Sequence, residues 1–270
     1  MVQRVEVTGA GGLPLACLTA GDPGAGCVAF IHGNGAGAGQ FHREVAGYAD
    51  RYRTLAVSLR GHGGSAMPED AAAPDLSIAR LADDVAAAAD RLGIARAHVV
   101  GNSVGGLVAF ELSARRPDLV ASLVTFGTTA ALESSRATAA LVAASPLILR
   151  RRAMAALVAL TARPGLPRAQ VRAVARQADP RAVSLISRNV GTYDYTDALR
   201  QRAVPWLLLR GGRDRSINRQ LGSTLAAGEA APWFRLVELP RAGHFANVDD
   251  PQGFDAAVRP FLDEVDAARA

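Results

Sequence analysis

The chain has 270 residues, 49% of them hydrophobic, which is enough for one large α/β domain with a buried core. Its 30 basic residues are all arginine and oppose 25 acidic ones. The resulting net charge of +5 is no nucleic-acid footprint. No apolar run approaches ~18 residues, which argues against a membrane span, and Cys17 and Cys27 are too few for a disulfide framework, so both are expected reduced, buried and inert.

Residues 2–8 and 13–19 alternate in polarity and predict a hairpin around Gly9-Ala10-Gly11-Gly12. The start lacks the apolar stretch of a secretory leader, so a cytoplasmic location is expected. Residues 27–31 form a short apolar strand ending in a Gly-rich loop at 33–39, and 41–50 reads as a helix. A strand at 54–58 runs into Arg60-Gly61-His62-Gly63-Gly64-Ser65. Ile78, Leu81, Val85 and Leu92 recur at helical spacing, and Gly93 can end that helix. A strand at 97–101, a helix at 104–115 and a strand at 121–126 follow. From about 128 to 195 the rhythm breaks: there is no clear strand, only Ala/Leu/Arg helical pattern punctuated by Pro146, Pro164, Pro167 and Pro180. Alternation resumes with a strand at 206–210, a helix near 219–229, a strand at 234–239 and a last helix from Gln252. Strands alternating with helices predict a mostly parallel, doubly wound sheet. The expected organisation is a core of 1–127 plus 196–270 with a helical cap inserted at 128–195.

The most telling segment is Val99-Val100-Gly101-Asn102-Ser103-Val104-Gly105-Gly106. Gly-x-Ser-x-Gly between a strand and a helix is the form of a nucleophile elbow, which holds its serine on a strained turn with the hydroxyl thrust out. Gly101 and Gly105 are expected where strand and helix pass too closely for side chains. A serine hydroxyl needs a general base. Among five histidines, His244 follows a predicted strand and sits outside its carboxyl end, the edge where α/β sheets build sites. The base needs an acid to orient it, and Asp214, after strand 206–210, lies at the same edge. The order Ser103, Asp214, His244 matches the Ser…Asp…His order of α/β-hydrolases. Glu133, after strand 121–126, is the alternative acid, while Asp249 and Asp250 read as the start of the last helix with Pro251 in its first turn. An oxyanion hole needs backbone N–H donors. Val104, next to the nucleophile, supplies one, and the loop His32-Gly33-Asn34-Gly35 supplies the other, with Asn34 the best candidate.

Together, His-Gly-Asn-Gly, Arg-Gly-His-Gly-Gly-Ser, Gly-Asn-Ser-Val-Gly-Gly, Gly-Arg-Asp and Ala-Gly-His-Phe resemble the α/β-hydrolase superfamily, in its branch of small cytoplasmic enzymes with a helical cap. The resemblance covers nearly the whole chain. It implies hydrolysis of an ester, lactone, thioester or activated C–C bond through an acyl-enzyme, with no metal and no organic cofactor. It also implies that His32 and His62 support the oxyanion loop and a neighbouring turn rather than move protons. His42 and His98 carry no signal. The segment Asp214-Arg215-Ser216-Ile217-Asn218 departs from relatives that have a proline shortly after the acid.

Between residues 130 and 190 ten arginines, at 136, 150, 151, 152, 163, 168, 172, 176, 181 and 188, face only Glu133 and Asp179. That stretch is net +8 and the remainder −3. Either these are solvated helix faces or they steer an anionic partner, a small carboxylate substrate or an acidic carrier protein. Four alternatives to a simple esterase stay open: a hydrolase of vinylogous diketones, a biosynthetic lyase or cyclase using His244 alone, a ligand receptor that kept the fold, and a carrier-protein thioesterase. The expected partner is a small acyl compound, with no nucleic acid and no membrane. The sequence leaves substrate and oligomeric state undetermined.

Overall fold

Alternation of apolar side chains builds the central sheet of the computed structural model, which describes residues 1–133, 178–201, 204–231 and 233–269. In β3 (Cys27–Ile31), Cys27, Ala29 and Ile31 enter one core layer, and Val28 and Phe30 the other. In β9 (Trp206–Gly211), Trp206 and Leu208 alternate with Leu207 and Leu209 in the same way. A strand buried on both faces reads as a continuous apolar run, as central parallel strands do.

The other sheet members are β1 (Gln3–Thr8), β2 (Pro14–Ala20), β4 (Arg53–Val57), β5 (Ala97–Asn102), β6 (Val120–Phe126) and β10 (Phe234–Leu239). Their spatial order is β1-β2-β4-β3-β5-β6-β9-β10. β2 pairs antiparallel with β1 and with β4, and from β4 to β10 every pairing is parallel. Helices α2 (Ile78–Arg91) and α3 (Val104–Arg115) bury their apolar stripes in one layer. Helix α1 (His42–Gly47) and the terminal α9 (Pro251–Ala267) fill the other. The doubly wound core expected from the alternation is therefore present. Asp250 caps α9 by accepting from the Gly253 N–H, with Pro251 in its first turn, as the sequence reading has it.

Two expectations need correction. Strands do occur between 128 and 195: β7 (Ala131–Glu133) and β8 (Thr192–Asp194) pair antiparallel. Three-residue strands are too short to show an alternating pattern, and their partners lie about 60 residues apart in sequence, so periodicity could not reveal them. The helix expected near 219–229 is present but starts only at Gly222, as α7 (Gly222–Glu229); two short helices not foreseen, α6 (Arg215–Asn218) and α8 (Ala246–Asp249), precede it and the terminal helix respectively. Residues 134–177, most of the expected cap, lie outside the described residues, and with them eight of the ten arginines. Both described ones are exposed, and Arg181 also donates to the carbonyls of Glu69 and Ala71.

Returning from that segment, α4 (Pro180–Asn189) packs directly on the core; α5 (Thr196–Gln201) follows β8. Ala182 and Ile186 are fully buried, and the Asp179 N–H donates to the Gly61 carbonyl at 2.8 Å. The Arg60 loop beneath is itself anchored. Arg60 makes a two-pronged ion pair with Asp84 of α2 at 2.6 and 2.7 Å, and Asp84 also accepts from the Ala10 N–H. Both side chains are buried and fully hydrogen-bonded, which is the condition under which a buried charge pair is tolerated. Both cysteines are buried, and burial pushes each thiol up to about 12, so neither ionises near neutrality. Among the described residues no helix is long and apolar enough to cross a membrane.

Candidate active site

The parallel strands end on one side of the sheet, and five of the sequence-predicted site residues follow a strand there: Gly33 and Asn34 after β3, Ser103 after β5, Asp214 after β9, His244 after β10.

Ser103 has φ +54°, the one positive φ of a non-glycine among the described residues. Backbone held in this region costs about 1–3 kcal/mol and persists only where the surroundings over-determine it. Here they do. The Ser103 N–H donates to the Phe126 carbonyl at 2.9 Å, tying the turn to β6. A Cβ built on Gly101 would lie 2.3 Å from the Gly105 carbonyl oxygen, and one on Gly105 2.1 Å from the Ile31 oxygen. Strand β5, helix α3 and the end of β3 therefore pass at backbone contact, which forces the reversal at Ser103.

His244 Nδ1 lies 2.8 Å from Asp214 Oδ2. The carboxylate side chain is 7% exposed and the imidazole 19%. Asp214 is held from its own side, since its Oδ1 accepts from the Ile217 N–H and so caps α6. The His244 carbonyl accepts from Asn102 Nδ2 at 2.9 Å, so the residue preceding Ser103 grips the backbone of the histidine. A methyl on Gly127 would strike that same carbonyl at 2.7 Å. The alternative acid, Glu133, closes β7.

The oxyanion loop discriminates among its own amides. The Gly33 N–H donates to Gln40 Oε1, and the Gly35 N–H to His62 Nε2. Among the described residues nothing accepts from the N–H of Asn34, nor from that of Val104 at the first turn of α3. The Gly33 carbonyl accepts from His32 Nδ1 at 2.8 Å and from the Ala36 N–H at 3.1 Å. Because the peptide unit is planar and trans, fixing that carbonyl fixes the Asn34 N–H in the opposite direction. A Cβ on Gly33 would come 3.2 Å from Ser103 Cβ, so this peptide lies against the serine. The Asn34 side chain is engaged elsewhere, donating to the Val183 carbonyl and Ser187 Oγ of α4.

His32 and His62 are neutral scaffolding. Each accepts a backbone N–H on Nε2, from Leu59 and Gly35 respectively, which leaves the proton on Nδ1. Burial pushes His32 down to about 3, and burial pushes His62 down to about 4. The unfolded chain takes up these protons below about 6.5 while the folded chain refuses them. Stability is therefore full above that pH and falls as the pH is lowered, approaching about 1.4 kcal/mol per pH unit for each ring. Urea unfolding between about pH 7 and pH 5 should show this loss, and a flat profile would contradict the neutral assignment.

A second serine–histidine–aspartate chain exists, Ser122–His98–Asp266, with contacts of 2.8 and 3.0 Å. Its serine lies fully buried within β6, and Asp266 also accepts from Tyr52. It joins α9 to the sheet and has no access to a substrate.

The model of the alpha/beta hydrolase family matches residues 28–257. The chain belongs to this family. Within it the protein is an enzyme of the hydrolase type. An esterase of Mycobacterium tuberculosis is 30% identical over 260 residues, covering 87% of this chain and 82% of the esterase. A 2-hydroxy-6-oxononadienedioate/2-hydroxy-6-oxononatrienedioate hydrolase of a Pseudomonas species is 38% identical over 104 residues, covering 37% of this chain and 35% of that enzyme. Among solved structures, a hydrolase from Pseudomonas aeruginosa superposes with a TM-score of 0.85 at 25% identity, over 96% of this chain and 98% of that one.

Sequence reasoning missed one set of residues around this hydrolase site. Gln40, Asn102 and Asn247 form an amide network beneath it. Asn102 was visible inside the elbow motif, but Gln40 and Asn247 carry no periodicity, spacing or charge that would mark them.

Proposed function

We propose that the protein is a serine hydrolase that cleaves an ester, lactone or similar acyl bond of a small molecule through Ser103, His244 and Asp214. The observation that carries this reading is the 2.8 Å His244–Asp214 contact at the sheet edge where Ser103 sits on its strained turn. Ser103 Oγ attacks the carbonyl carbon as His244 Nε2 takes its proton. Asp214 holds the proton on Nδ1 and stabilises the imidazolium. The N–H groups of Asn34 and Val104, both without partners among the described residues, receive the oxyanion. His244 then protonates the leaving group, and water repeats the sequence on the acyl-enzyme. The arginine-rich segment at 130–190 favours anionic acyl substrates by long-range attraction.

A fluorophosphonate probe followed by mass spectrometry tests the reading. The adduct is expected on Ser103, absent in Ser103→Ala and strongly slowed in His244→Ala. Turnover of a p-nitrophenyl ester that survives Ser103→Ala would overturn it. A second reading, C–C bond cleavage in a vinylogous diketone, is favoured by the 38% identity to the nonadienedioate hydrolase and by Asn102 immediately before the serine. Bleaching of a ring-fission dienol substrate by the protein would decide for it.

A further inference from the structure

We propose that Gln40 is a positioning residue that sets the oxyanion loop in register with the nucleophile and the base. This rests on the serine-hydrolase reading above. Gln40 lies in the 3-10 turn Ala38–Phe41 that leads into α1. Its Oε1 accepts from the Gly33 N–H at 3.3 Å, on the oxyanion side. Its Nε2 donates to Asn102 Oδ1 at 3.0 Å, on the nucleophile side, and to Asn247 Oδ1 at 3.4 Å. Asn247, on α8 just beyond His244, returns a bond from Nδ2 to the Gln40 carbonyl at 3.2 Å. Asn102 in turn donates to the carbonyls of Phe126 and His244. One side chain thus joins the loop bearing the Asn34 N–H, the residue before Ser103 and, through Asn102, the backbone of the base.

The chemistry of the position is restrictive. The Nδ2 of Asn102 is committed to two carbonyls, so its Oδ1 must face Gln40 and requires a donor. The Gly33 N–H requires an acceptor at the opposite end of the same planar group. A glutamine amide supplies both. A carboxylate supplies two acceptors and would face the oxygens of Asn102 and Asn247 unpaired. Repulsion between that carboxylate and the Asn102 oxygen would push Asn102, which precedes Ser103 and holds the His244 carbonyl, out of register with the loop whose Gly33 N–H still bonds the residue-40 side chain. Displacements near 1 Å in such a constellation lower rates about 10²-fold.

The test is Gln40→Glu, of nearly identical shape. With a p-nitrophenyl ester, kcat should fall about 10–10²-fold while KM stays within about threefold, because the loss lies in the transition state. The second-order rate of fluorophosphonate labelling at Ser103 should fall in parallel. The ratio of variant to wild-type kcat should rise as the pH is lowered, since protonation of the introduced carboxylate restores one donor beside one acceptor. His244 and Asp214, Glu44 bonded to Asn247, and Asp249 bonded to the Gly243 N–H are common to both proteins and divide out of that ratio. Wild-type kcat with a flat ratio would overturn the proposal, as would a raised KM at unchanged kcat. Should Gln40→Glu fail to fold, Gln40→Asn, one methylene shorter, must show the same kcat-only loss. Ser103→Ala, run alongside, separates the two ideas. If it retains turnover, the serine-hydrolase reading falls and this proposal with it. If it is inactive while the Gln40 variants are normal, only the role of Gln40 falls.

Discussion

Asp214→Asn is expected to lower kcat about 10⁴-fold while leaving the fold and KM nearly unchanged. The Asp214 carboxylate accepts the His244 Nδ1 proton at 2.8 Å in a nearly solvent-free position. An asparagine there can turn its NH₂ toward Nδ1, which stabilises the imidazole with its proton on Nε2. That tautomer cannot accept a proton from Ser103. The remaining duty of Asp214, capping α6 through the Ile217 N–H, is one that asparagine performs equally well, so the melting temperature should move by only a few degrees. Glu133→Gln, the corresponding change at the alternative acid, should leave kcat within a few-fold of wild type. The two variants measured side by side on one p-nitrophenyl ester settle the assignment. If Asp214→Asn stays near wild type and Glu133→Gln is inactive, the acid is Glu133.

Why the sequence revealed some of this and not the rest follows from the range over which each signal acts. The elbow is local: strand, glycine, serine, glycine and helix are contiguous, and the glycines are needed where Gly101 and Gly105 meet backbone. Strands β3, β9 and β10 are legible because burial on both faces, or a bounding turn, is written in six residues or fewer. Asp214 and His244 could be placed because each follows such a strand, and parallel strands end on one side. Side-chain hydrogen bonds have no such grammar. Gln40 meets Asn102 across 62 positions, Asn102 meets the His244 carbonyl across 142, and Gln40 meets Asn247 across 207. The same applies to Arg60 and Asp84, where an arginine and an aspartate of ordinary appearance form a wholly buried pair. Asn34 falls between the two cases. The sequence supplied the loop and pointed to Asn34 within it, and the structure adds that the flanking amides of Gly33 and Gly35 are engaged by Gln40 and His62.

Gly105→Ala should be severely damaging, against what helix propensity alone would say. In a helix interior alanine is favoured over glycine by about 1 kcal/mol, so on propensity the substitution near the start of α3 stabilises. The new Cβ, however, would stand 2.1 Å from the Ile31 carbonyl oxygen, 2.6 Å from its carbon and 2.8 Å from the His32 oxygen. All three are backbone atoms where β3 ends, held by pairing to both β4 and β5, and none can swing aside as a side-chain tip would. Relief requires α3 to withdraw from the sheet. That would open the layer where Val104, Leu107 and Val108 pack, and would carry Ser103 away from Gly33. A loss above about 4 kcal/mol is expected, enough to unfold an ordinary domain at modest urea concentration. Gly222→Ala provides the contrast. It lies at the first turn of α7 with nothing within 4 Å of its added methyl, and should be neutral or stabilising by a few tenths to about 1 kcal/mol. Urea midpoints for the two variants give the answer. A Gly105→Ala protein within about 1 kcal/mol of wild type, still labelled at Ser103 by the fluorophosphonate, would mean that backbone contact between β3 and α3 is not what holds the serine on its turn.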